Sequence, residues 1–168
     1  MIHVRNFTTV YETVVSSASK NVLSLGICPD ELRELPNIDL LFLEFADIDR
    51  PSSKNLKFAA SDQQIWQLIS LCKRWDGQGP LVINCRQGHR RSPAAAYIAL
   101  CILGQYKEVD CMAQLRLAAP YADPNRWMVQ LADHLLAREG RMVAALDSMP
   151  ATSNQILEGF QLCAGKSG

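Results

Sequence analysis

The chain has 168 residues, enough for one domain that buries about two thirds of its unfolded surface. Hydrophobic residues make up 48% and charged residues 20%, and seventeen basic residues balance seventeen acidic ones. That balance excludes a global field steering the protein to nucleic acid or to a membrane surface, so any attraction for anions has to be local.

No uninterrupted apolar stretch approaches the roughly 18 residues that span a bilayer, so no stable membrane association is expected. Met1 to Thr9 carries His3 and Arg5 and no apolar run, so no signal peptide is expected either. Cys28, Cys72, Cys85, Cys101, Cys111 and Cys163 are scattered with no C-x-x-C pair, which suits reduced thiols in a reducing cytoplasm. His3 and His134 stand alone, and no metal-ligand cluster is visible, so neither metal nor cofactor is expected.

In chain order, Thr8 to Ser17 suggests a first helix, weakened by β-branched residues. Val22 to Leu25 and Leu40 to Phe45 are short apolar runs that read as buried strands. A helix is expected from Ser61 as N-cap to about Trp75, because Ile65, Leu68, Ile69, Cys72 and Trp75 form one continuous stripe. Leu81-Val82-Ile83 is a third strand, which should lie beside the Leu40 to Phe45 strand. Ser92 as N-cap and Pro93 at the first helical position open a helix over Ala94 to Leu103, ended by Gly104. Another helix should run from about Lys107 to Ala118, and a further one from Asp123-Pro124 to Gly140. From Pro150 the sequence thins, and Ile156, Leu157 and Phe160 suggest at most one docked helical turn. Strands alternating with helices imply an α/β domain, a sheet packed between helical layers.

The segment that carries chemistry is Asn84-Cys85-Arg86-Gln87-Gly88-His89-Arg90-Arg91-Ser92. A cysteine leaves a buried strand, five residues follow, and Arg91-Ser92 start a helix. Backbone N–H groups of such a loop, together with an arginine, favour an anion and the thiolate form of a cysteine. Arg91 can close the loop and grip two phosphate oxygens at once, and Gly88 allows a turn that a side chain would obstruct. Ser92 can donate a hydrogen bond to the thiolate.

Cys85-x-x-Gly88-x-x-Arg91-Ser92 resembles the signature loop of the protein tyrosine phosphatase superfamily. The Ser92-Pro93 ending is similar to its dual-specificity branch, and Ala118 to Asn125 resembles the stretch by which those small phosphatases enter their last major helix. A likeness to small bacterial tyrosine-phosphatase-like proteins extends over about residues 20–146. The resemblance implies a single-domain, three-layer α/β cysteine-phosphatase fold with a central mixed sheet flanked by helices. Residues 1–148 would form the phosphatase domain and 149–168 a C-terminal tail, weakly structured or docked. It also implies that Cys85 is the nucleophile and that Arg86, Gln87, Gly88, His89, Arg90 and Arg91 bind phosphate. The substrate would be a phosphoprotein or a small polyphosphorylated molecule. The family carries histidine just before the nucleophile. Here Asn84 takes that place, able to hydrogen-bond but not to carry charge.

The family's general acid is an aspartate on a loop upstream of the cysteine, and Asp47 and Asp49 are the candidates. Resemblance to the bacterial group's Asp-Ile pairing favours Asp47-Ile48, while Asp62 suits a helix N-terminus without a catalytic role. Arg86, His89 and Arg90 could form a basic rim for a substrate with more than one phosphate, as in inositol polyphosphates or phosphoinositides. Two other readings of the loop are a rhodanese-like sulfurtransferase, whose loop is usually one residue shorter, and a pseudophosphatase that binds phosphate without turnover.

Overall fold

The computed structural model describes residues 1–75, 77, 79–104, 106–155, 157 and 159–164. Its strands are β1 (Ile2–Arg5), β2 (Asn21–Leu25), β3 (Asp39–Leu43), β4 (Leu81–Asn84) and β5 (Gly159–Leu162). Its helices are α1 (Val10–Ser16), α2 (Asp30–Arg33), α3 (Asp62–Trp75), α4 (Arg91–Leu103), α5 (Glu108–Ala118), α6 (Arg126–Leu135) and α7 (Arg141–Ser148). The strands form one mixed sheet in the order β3-β2-β4-β1-β5, with β1 to β4 parallel and β5 antiparallel to β1.

Side-chain alternation divides the sheet into two faces. Val22 and Val82 join Val10, Val14 of α1 and Leu32 of α2 in a small cluster. Leu23, Leu25, Leu81 and Ile83 point the other way, into the main core built with α3 to α7. The result is three layers, as the alternation of elements implies. Because β1 to β4 are parallel, Arg5, Gly26, the segment after Leu43 and Cys85 all emerge at one edge, where ligands of such sheets bind.

Several expectations need correction. β2 lies between β3 and β4, so the Leu40 to Phe45 strand is not a neighbour of the Cys85 strand. Ile2–Arg5, unassigned in the sequence reading, fills a central position, with Ile2 and Val4 fully buried. The helix expected to run to Gly140 ends at Leu135. Ala137, Glu139 and Gly140 then take positive φ, and the buried Asp133 carboxylate accepts the N–H groups of Gly140 and Met142 at 2.6 and 2.7 Å. Asp133 thereby caps a new helix, α7, and Gly140 opens that helix instead of closing the previous one. Helix α4 starts at Arg91, because Ala94 N–H already bonds Arg90 C=O; Ser92 is therefore inside the first turn and is not its cap. Phe160 lies in edge strand β5 and not in a helical turn, paired with Val4 of β1, while Ile156 lies outside the described residues. The Ser61 cap stands as expected, with Gln64 returning a bond to the Ser61 N–H at 3.0 Å.

Candidate active site

The loop from Cys85 to Arg91 bridges the end of β4 and the start of α4. Three of its carbonyls are engaged on its outer side: Arg86 C=O by Phe7 N–H, His89 C=O by Asp123 N–H, and Arg90 C=O by Asn125 N–H. In a trans peptide the C=O and the following N–H point in opposite directions, so the N–H groups of Gln87, Arg90 and Arg91 point away from those three partners. Gly88 has φ +68°, and a Cβ there would meet the Arg5 and Asn6 backbone at 3.3 Å. Glycine is what lets the loop lie against the end of β1.

Cys85 is 2% exposed, and its Sγ lies 3.1 Å from the Ser92 hydroxyl oxygen. Arg91 is also largely buried, with its Nη1 donating to Phe45 C=O at 3.0 Å. Its Nε is buried without a hydrogen-bond partner and stands 3.9 Å from Asp47 Oδ2, too far for a direct bond. A buried guanidinium N–H of this kind can be satisfied by an anionic oxygen. The guanidinium lies over Gly26, where a Cβ would fall 1.6 Å from Nη1. Gly26 was not singled out in the sequence; its one signal is a glycine directly after the Val22 to Leu25 run.

The two candidate aspartates separate cleanly. Asp47 Oδ1 accepts the Asn125 side-chain amide at 2.7 Å, and Asp47 lines the cleft beside Arg91. Asp49 faces away, bonded to the Arg126 N–H at the start of α6 and ion-paired with Arg90 at 3.0 Å. Asp62 occupies the first turn of α3, where a carboxylate stabilises the helix dipole.

The basic loop residues also divide. Arg90 is paired with both Asp49 and Asp123, and His89 stacks on Tyr121 with centroids 6.3 Å apart. Arg86 and Gln87 are exposed. Of the three expected rim residues Arg86, His89 and Arg90, only Arg86 lines the cleft, an open volume of about 960 Å³ that also has Lys57, Phe58, Gln63 and Gln67 in its walls. Lys57 was missed because it is distant from the loop in sequence. Asn84, fully buried, accepts the Ser24 hydroxyl at 2.6 Å and so ties β4 to β2 under the loop. Among the described residues no group of three or more His, Cys, Asp or Glu could hold a metal ion.

No protein-family model matches the sequence, and no curated protein matches it. Solved structures do match. DUSP15 superposes with TM-score 0.61 at 15% identity over 92% of this chain and 94% of its own. Human DUSP28 gives 0.62 at 13% identity, covering 82% of this chain and 94% of its own. The fold is that of the dual-specificity phosphatases. PTPMT1 shares it as well, with TM-score 0.56 at 8% identity over 83% of this chain and 94% of its own. At such identities the likeness speaks for the backbone, and the chemistry rests on the side chains described above.

Proposed function

We propose that the chain is a cysteine-dependent phosphomonoesterase of the tyrosine or dual-specificity kind, working in a reducing cytoplasm. The observation that carries this reading is the buried Arg91, its Nε without a hydrogen-bond partner and 3.9 Å from Asp47 Oδ2, at the end of the loop that begins with Cys85, whose Sγ meets the Ser92 hydroxyl. A phosphate seated in the loop would meet the N–H groups of Gln87, Arg90 and Arg91, and the Arg91 fork would take its equatorial oxygens.

In the first step the Cys85 thiolate attacks phosphorus. The S–P bond forms as the P–O ester bond breaks, and Asp47 gives its proton to the departing oxygen. In the second step water attacks the cysteinyl-phosphate, Asp47 takes the water's proton, and the S–P bond breaks to release phosphate. The Ser92 hydroxyl, 3.1 Å from Sγ, stabilises the thiolate that leaves. Water is the sole co-reactant.

One observation favours substrates with a second anionic group. Arg86 and Lys57 both border the cleft, both are exposed, and neither is ion-paired among the described residues. The two cations supply the rim that Arg90 and His89 do not. The five residues between Cys85 and Arg91 argue against sulfur transfer, and the placement of Asp47 argues against a site that only binds.

The test is hydrolysis of an aryl phosphate and of an inositol polyphosphate by the wild type and by Cys85→Ser. Turnover by the wild type alone, with inorganic phosphate still bound by Cys85→Ser, is the expected result. A wild type that binds phosphate and turns over neither ester would make the protein a pseudophosphatase. Transfer of sulfur from thiosulfate to cyanide would make it a sulfurtransferase.

A further inference from the structure

Asn125 holds an unusual set of bonds for a helix cap. It is 1% exposed and sits at the N-cap of α6, where its Oδ1 accepts the Met128 N–H at 3.0 Å. Its Nδ2 donates in the opposite direction, to Asp47 Oδ1 at 2.7 Å and to Ile48 C=O at 3.3 Å. Its backbone N–H bonds Arg90 C=O in the phosphate loop at 3.1 Å. Because Oδ1 must face an N–H donor, the amide cannot be flipped, and Nδ2 has to face the carboxylate.

Capping alone does not call for this side chain. Serine or aspartate caps a helix about as well as asparagine. Neither would also donate to Asp47 from that position, since aspartate is acceptor-only when ionised and serine is shorter. We infer that Asn125 is a positioning residue for Asp47: it ties up Oδ1, so the transferred proton resides on Oδ2, the oxygen turned toward Arg91 and the phosphate seat. The α6 cap, the acid loop and the phosphate loop thus meet in one residue, the first two through its side-chain amide and the third through its backbone N–H. This inference rests on the proposed phosphatase reading and assigns that site's acid its supporting residue.

The test is Asn125→Ser, which keeps a cap and removes the donor, assayed with phenyl phosphate and with 2,4-dinitrophenyl phosphate. The first ester needs its leaving oxygen protonated; the second hardly does. Because a misplacement near 1 Å can cost about 10²-fold, kcat on phenyl phosphate should fall by about 10- to 100-fold, with a far smaller loss on the activated ester. In an Asp47→Asn background the same substitution should cost less than about twofold more, because the residue acts through Asp47. Asn125→Asp, which caps but repels the carboxylate, should show the same split between esters, and its retained turnover of the activated ester reports a folded protein.

Equal losses on both esters, or full additivity with Asp47→Asn, would reduce Asn125 to a structural cap and overturn the inference. So would unchanged turnover of phenyl phosphate. A wild type that hydrolyses neither ester is a different outcome. It brings down the phosphatase reading itself, and this inference with it.

Discussion

Replacing Gly26 with alanine should weaken phosphate binding without substituting any residue of the Cys85–Arg91 loop. The added Cβ would fall 1.6 Å from Arg91 Nη1, 2.7 Å from Cζ and 2.8 Å from Phe45 C=O. Ordinary contact needs about 3.5 Å, so the guanidinium has to retreat by about 2 Å. That breaks its bond to Phe45 and takes its fork away from the loop. Losing one charge-assisted hydrogen bond costs about 1.5–3 kcal/mol, which is about 10- to 150-fold in affinity. The backbone adds a separate cost, since φ at Gly26 is +74° and a non-glycine residue there loses about 1–2 kcal/mol of stability. Gly140→Ala isolates this second term: its φ is +82°, and an added Cβ meets nothing within 4 Å.

The assay is competitive inhibition by vanadate or phosphate, with kcat/KM and a thermal melt on the same preparations. Gly26→Ala should weaken inhibitor binding by about 10- to 150-fold and lower kcat/KM at least as much. Gly140→Ala should lower Tm by about 2–8 °C and leave both site constants within about twofold. If folded Gly26→Ala binds inhibitor and turns over like the wild type, Arg91 does not rest on Gly26, and the proposed phosphate seat is wrong.

Two further predictions use the same measurements. Asp47→Asn should slow esters with poor leaving groups by about 10²–10⁴-fold and activated esters much less. Asp49→Asn, which loses charge opposite Arg90 and the Arg126 N–H, should cost about 1 kcal/mol of stability and act alike on all esters; a leaving-group dependence larger than that of Asp47→Asn would exchange their roles. Burial by itself would raise the Glu108 carboxyl, but its own backbone N–H, Arg141 and Arg138 outweigh it and hold it below the ordinary carboxylate value. A depressed folded value means that stability from this group is complete above the unfolded value of about 4.3 and is lost as pH falls through the folded value. Glu108→Gln should therefore lower Tm near neutral pH and flatten its fall below about pH 4.5, and an unchanged slope of Tm against pH would remove Glu108 from the acid response.

The strand–loop–helix from Leu81 to Leu103 was legible in the sequence because its parts are contiguous. Strand end, seven-residue turn and helix are local conformations, marked by a buried apolar run, by Gly88 and by the alanine-rich run after Pro93, although the helix starts at Arg91 and not at the Ser92 cap expected. The α3 stripe and its Ser61 cap were readable for the same reason, since helical periodicity repeats within a few residues. Boundaries were less legible where a distant side chain decides them: Gly140 looks like a stop until Asp133 caps the chain into α7. Over four residues, Gly159–Leu162 carry too little periodicity to separate strand from helix, and pairing with β1 chose strand.

The Asp47-Ile48 pairing favours Asp47 only by resemblance; the physical distinction between Asp47 and Asp49 comes from the tertiary structure, which lines the cleft beside Arg91 with Asp47 and bonds Asp49 to Arg90 and the start of α6. Asn125 and Arg126, far along the chain, take one carboxylate each. The same holds for the rim. Arg86, His89 and Arg90 are all basic residue types on paper, but Asp49 and Asp123 neutralise Arg90, Tyr121 stacks on His89, and Lys57 arrives from the short 3₁₀ turn Leu56–Phe58. Local chemistry sets what a segment can do, and the packing of segments distant in sequence sets which charges remain free to meet a substrate.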